Sequence, residues 1–126
     1  MVSTACIGGP IAYEVFRHAQ NVEFDELKHT LMDDRSFRDS VMLGVGNAYQ
    51  SLVDAVGIDD VHLELQFKKL PAQHLVNRAI IEFANENSLN DRLVVTTDSH
   101  YARPEHWRER EIYKKLGWLN YRDFDP

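Results

Sequence analysis

The stretch Val61-HLELQFKKLPAQHLVNRAIIEFANENSLNDRLVVT-Thr97 changes its hydrophobic period twice, and those changes set the fold class. In VHLELQF, residues 61–67, Val61, Leu63, Leu65 and Phe67 alternate with His62, Glu64 and Gln66, the period of two expected of a strand. Pro71 sits at the favoured first position of a helix, and Leu75, Val76, Ala79, Ile80, Phe83 and Ala84 then recur at helical spacing as one apolar stripe. RLVVTT, residues 92–97, is a short β-branched run with apolar residues on both faces, as expected of a strand buried on both sides. Strand, helix, strand in that order implies parallel pairing through a right-handed crossover, so the chain is expected to be α/β.

Working outward, VSTAC at residues 2–6 reads as the end of a short strand that runs into the turn of Gly8 and Gly9. Pro10 to about Gln20 carries Ile11, Val15 and Phe16 near helical spacing, and Phe24 to Met32 carries Phe24, Leu27 and Leu31; both are expected to be helices. Ser36, with Asp39 three residues on, is the expected N-cap of a long helix containing Phe37, Val41, Val45, Tyr49, Leu52, Val53 and Val56. Gly57 is its expected stop. Beyond residue 97, Pro104 is expected to start a last helix that Gly117 ends, packing through Trp107, Ile112, Tyr113 and Leu116. The mixed-sign run Arg108 to Lys115 is expected to give it a solvated face.

At 126 residues, 44% hydrophobic and 27% charged, the composition is that of one folded domain. No apolar run approaches the roughly 20 residues of a membrane span, and the N-terminus lacks the pattern of a signal peptide, so a cytoplasmic location is expected. Cys6 is the one cysteine, which excludes an internal disulfide and fits a reducing compartment. A formal net charge of −6 argues against a free-standing nucleic-acid binder, because such binding rests on clustered Lys and Arg.

The chemistry concentrates at two strand ends. Parallel α/β folds place their sites at the carboxyl ends of strands, and TTDSHY, residues 96–101, sits at one. Asp98 and His100, two apart on an extended chain, can project to one side and offer a carboxylate oxygen and an imidazole nitrogen to a single Zn, Mn or Fe. The same pair also suits an ordinary polar turn. Cys6, at the end of the first strand, is either buried filler or a thiolate facing the same rim, which would complete a mixed S, N, O set compatible with Zn. His18, His29 and His74 fall in helices and are expected to be solvated; His62 alternates with Leu63, and His106 is expected at the surface. Glu64 and Gln66 either line a wet lumen or bond to neighbouring strands, the second being preferred. Gly44 and Gly46 lie inside a helix and form no phosphate loop, and there is no Gly-x-Ser-x-Gly elbow.

STACIGGP (residues 3–10), LELQFKKLPAQHLVNRAIIEFA (63–84) and LVVTTDSHYARPEHWREREIYKKLG (93–117), taken together and in this order, resemble one family. They are similar to the polymerase and histidinol phosphatase (PHP) domain at the N-terminus of the bacterial DNA polymerase III alpha subunit, in a phage-type version. The resemblance runs from Ser3 to at least Tyr101, and LELQ, the following Gln and Asn, and Asp-Ser-His-Tyr are specific in combination. It implies a distorted barrel of strands and helices whose carboxyl-end rim holds divalent metals, Zn or Mn. In members that keep the ligands the rim supports a 3′–5′ exonuclease or related phosphoesterase activity, and in others the domain braces the polymerase.

By that resemblance Cys6 matches the family's cysteine ligand, and Asp98 and His100 match its last Asp-x-His pair. The family's earlier ligands, beginning with His-x-His, precede the segment matched here, and Gly-Gly-Pro stands after the cysteine where Gly-Gly-Glu is usual. Residues 1–126 are therefore expected to form one partial PHP domain, the rear half of the barrel. Its expected partners are the remainder of a polymerase polypeptide and, through it, DNA; its metal site would be incomplete and the isolated chain inactive. A non-catalytic module bracing a polymerase and a stand-alone PHP-type phosphoesterase are the alternatives. An upstream segment carrying His-x-His, and a downstream polymerase core, would discriminate them.

Overall fold

The computed structural model describes residues 2–4, 7–97, 104–106, 108, 109, 111 and 112. Strands β1 (Val2–Ser3), β2 (Val61–Gln66) and β3 (Leu93–Thr96) form a parallel sheet in the order β1-β2-β3. Val2 pairs with Val61 and Ser3 with His62 on one side of β2, while Leu63 to Gln66 pair with Leu93 to Thr96 on the other. Helices α1 (Pro10–Arg17) and α2 (Arg35–Val56) lie in the connection from β1 to β2. Helix α3 (Pro71–Glu86) is the crossover from β2 to β3, as the period change over residues 61–97 implies.

Proline starts two of the helices: Pro10 follows Gly9 and Pro71 follows extended Leu70, each supplying a fixed φ where no N–H partner is needed. All six stripe residues of α3 are buried, against Val61, Leu63 and Leu65 of β2, Ile11 and Val15 of α1, and Val41, Val45 and Tyr49 of α2. The rings of Tyr49 and Phe83 meet edge to face at 5.5 Å, the arrangement favoured by the ring quadrupole. Helix α2 ends where Gly57 takes φ +92°, its N–H donating to the Val53 carbonyl at 2.7 Å. Two arginines lace the outside. Arg78 donates to the Asp33 carboxylate (2.7 Å), to Glu82 (3.1 Å) and to the His29 carbonyl (2.8 Å), and Arg38 donates to Glu82 (3.1 Å) and Glu86. Hydrogen bonds to Glu86 and then Glu82 raise the Arg38 pKa above its ordinary value, and the bond to Asp33 does so foremost for Arg78.

Five expectations are corrected. Phe24–Met32 is not a helix but two 3-10 turns, Phe24–Glu26 and His29–Asp33, with Leu27 and extended Lys28 between them. The turns bury Leu27 and Met32 and leave Phe24 exposed; five residues apart, those two would point about 140° apart on a continuous helix, so the chain breaks to bury both. Asp34, not Ser36, caps α2: its side chain accepts the Phe37 N–H at 2.8 Å, and Ser36 lies within the first turn. Phe67 does not share the apolar face of β2, because the strand ends at Gln66 and the ring is 80% exposed. In β3, Val95 is 56% exposed, so among the described residues only β2 is covered on both faces. Pro104–His106 is a 3-10 turn rather than the first turn of the last helix, although the described residues 108, 109, 111 and 112 are helical, and Ile112, expected to pack, is exposed. Trp107, Tyr113, Leu116 and Gly117 lie outside the described residues.

Candidate functional site

Because the three strands are parallel, their carboxyl ends share one end of the sheet, and the middle strand β2 carries the polar side chains Glu64 and Gln66 between β1 and β3. Glu64 is 8% exposed in the middle strand. Its Oε2 accepts the Ser3 hydroxyl of β1 at 2.7 Å, while Oε1 accepts the Thr96 hydroxyl of β3 and the Gln66 Nε2 at 2.9 Å. Glu64 thus bonds to both neighbouring strands, the preferred of the two readings, whereas the Gln66 side chain bonds to Glu64 of its own strand. The Glu64 N–H donates to the Thr4 hydroxyl at 2.9 Å, while the Thr4 N–H donates to the His62 carbonyl at 3.0 Å. A side-chain oxygen takes over from main-chain ladder bonding there, and β1 leaves the sheet.

The network continues into α3. Asn77 Nδ2 donates to the Gln66 carbonyl at 2.8 Å, and Asn77 Oδ1 accepts Gln73 Nε2 at 2.9 Å and the Gln66 N–H at 3.4 Å. This side chain therefore completes the backbone pairing of the last residue of β2, a requirement of any buried amide. Gln66 and Gln73 are each 1% exposed, and their Oε1 atoms find no hydrogen-bond partner among the described residues; nor does His62 Nδ1. Seven residues, Ser3, Thr4, Glu64, Gln66, Gln73, Asn77 and Thr96, form one polar cluster on three strands and a helix. Composition and spacing singled out only Glu64 and Gln66. Gln73 and Asn77 stand four apart, the spacing that places side chains on one helical face, and that was the available signal. The roles of Ser3, Thr4 and Thr96 depend on strand order.

Cys6, Asp98 and His100 lie outside the described residues. Cys6 follows Ser3 by three residues, and Asp98 and His100 follow Thr96 by two and four. Among the described residues no three His, Cys, Asp or Glu side chains assemble a group able to hold a metal. His18, His29 and His74 are exposed as expected, and His62 and His106 are half-buried. An open depression of about 400 Å³ is lined by His18, Leu31, Asp34, Ser36, Phe37 and Ser40, but the Asp34 carboxylate there is engaged in capping α2. Among the described residues no helix is long and apolar enough to cross a membrane.

No protein-family model and no solved structure matches the chain. Over 47 residues it is 43% identical to the DNA polymerase III subunit alpha of Aquifex aeolicus (strain VF5), a match that covers 37% of this chain and 4% of that protein. The chain is thus similar to a small part of a much longer polypeptide.

Proposed function

We propose that the chain is the rear half of a PHP domain belonging to a DNA polymerase III alpha-type protein, with a Zn- or Mn-binding rim contributed by Cys6, Asp98 and His100. The observation that carries this reading is the 43% identity over 47 residues to a polymerase III alpha subunit. The small parallel sheet supports it, since it supplies strands and a crossover of the kind a PHP barrel repeats. So does the polar cluster, because Glu64, Gln66, Gln73 and Asn77, on which the resemblance partly rests, are joined in one network.

The donor set fits the metal. A thiolate, a carboxylate and an imidazole are ligands that zinc accepts in catalytic sites with a water in the fourth position. When bound, such ions lower the pKa of water and neutralise charge on a phosphodiester. The three residues would be ligands and not nucleophiles. The remaining ligands, the polymerase core and the DNA contact would come from other parts of a larger protein.

Equilibrium dialysis of the purified chain against Zn, with metal counted by mass spectrometry, tests the reading. About one ion per chain is expected, lost in Cys6→Ser, Asp98→Asn and His100→Ala. A chain that binds no zinc, or binds it equally well in all three variants, would remove the rim and leave a bracing module as the better description.

A further inference from the structure

The side-chain amides of Gln66 and Gln73 are almost wholly buried, and a buried amide is tolerated only when its oxygen and its nitrogen both find partners. Which end of each amide faces which neighbour follows from the backbone of β2. The Gln66 main chain presents an N–H and a carbonyl to Asn77, so the Asn77 side chain sets its oxygen toward the first and its nitrogen toward the second. Asn77 Oδ1 also takes a donor from Gln73, which assigns Gln73 Nε2 to that contact and turns Gln73 Oε1 away from it. Glu64, as a carboxylate, only accepts, so Gln66 presents Nε2 to it and turns Oε1 away in turn. Reversing either glutamine would set oxygen against oxygen.

Two buried acceptors remain, Gln66 Oε1 and Gln73 Oε1, with no donor among the described residues. Tyr49 Oη and His62 Nδ1 share that condition, but a hydroxyl rotates and an imidazole changes tautomer, so neither declares what it needs. The amide oxygens do: each needs a donor. Their side chains meet at one atom, Asn77 Oδ1, which receives both Gln73 Nε2 and the Gln66 N–H.

We propose that Gln66 Oε1 and Gln73 Oε1 accept hydrogen bonds from internal water held between the end of β2 and the first turn of α3. The chemistry selects this guest. Amide oxygens in a cluster built around a carboxylate attract a donor and repel an anion, which excludes phosphate. Side chains only 1% exposed admit nothing large. A hard metal cation would ask for about six oxygens, more than the two amides supply. Water meets every condition, and buried waters in folded proteins characteristically complete polar groups of this kind. Neither the metal rim nor the polymerase likeness enters this assignment.

The test is a high-resolution crystal structure of the full chain, beside a water-selective ROESY spectrum of the same chain in solution. Density refining as water is expected about 2.7 to 3.2 Å from each amide oxygen. Cross-peaks of through-space sign are expected between water and the γ protons of Gln66 and Gln73. Gln73→Met keeps the length of the side chain and lacks the oxygen, and its cross-peak at residue 73 is expected to vanish. Gln50→Met, on the exposed face of α2, is expected to keep both. A protein donor at either oxygen would overturn the proposal, and the wild type alone reveals it even if Gln73→Met fails to fold. So would an oxygen with no density within about 3.5 Å and no cross-peak to water. A residue-73 cross-peak that survives in Gln73→Met would place the water elsewhere and overturn it as well.

Discussion

Asp34 and Gly57 bound the longest helix through single-residue chemistry. The Asp34 carboxylate satisfies the Phe37 N–H that the first turn would otherwise leave open, so Asp34→Ala is expected to lower stability by about 1 kcal/mol in urea unfolding, and Asp34→Asn to recover most of it. Gly57, at φ +92° and ψ 151°, occupies a region open essentially to glycine alone; Gly57→Ala is expected to cost about 1 to 3 kcal/mol by the same measurement. Gly57 is legible in the sequence as a helix stop, whereas spacing points to Ser36 as the cap that Asp34 provides. Both residues are good caps, and what decides between them is the backbone path out of the preceding 3-10 turn, which spacing does not encode. The cluster around Glu64 shows the same limit: alternation put Glu64 and Gln66 on one face, but their partners lie 61 and 32 residues away for Glu64, in strands whose order had first to be known.

Elements with a strong period were the readable ones. The stripe of α3 holds in the structure because burial on one side selects its residues for size and polarity, and the alternation of β2, buried on both faces, holds because Val61, Leu63 and Leu65 join the core while Glu64 and Gln66 hydrogen-bond on the other face. The spacing of Phe24, Leu27 and Leu31 predicts a helix over residues 24–32, yet the demand to bury Leu27 and Met32 together overrides it. Leu75, the first residue of the α3 stripe, is fully buried, so Leu75→Ala is expected to cost about 2 to 5 kcal/mol in chemical denaturation. The arginine pairs act between elements. Arg78 connects α3 to the turn at His29–Asp33, and Arg78→Gln is expected to cost about 1 kcal/mol, less at high salt. Since both guanidiniums have pKa values raised on folding, their share of stability is complete below the ordinary arginine range. It is lost only as pH rises through the still higher folded values, so pH unfolding curves of Arg78→Gln and wild type are expected to run parallel across the neutral range.

At the scale of the whole molecule, the proposed metal rim would be only partly supplied by this chain. Phosphodiester cleavage with two metals requires a second ion at the leaving oxygen, and three ligands hold one. Purified chain with Zn or Mn is therefore expected to show little or no nuclease activity on single-stranded DNA. Metal-dependent cleavage abolished by Asp98→Asn and His100→Ala would instead make it an enzyme in its own right. The α/β class was legible from one 37-residue stretch, because strand, crossover helix and strand are all encoded locally. The proposed rim rests on residue types near strand ends, and whether Cys6, Asp98 and His100 converge is a matter of folded distance. Anomalous diffraction at the zinc edge, from crystals grown with Zn, measures that distance. The account predicts one peak about 2.0 to 2.3 Å from Cys6 Sγ, an Asp98 carboxylate oxygen and a His100 ring nitrogen; a Cys6 sulfur more than roughly 10 Å from the Asp98 carboxylate, beyond the reach even of a bridged pair of ions, would contradict it.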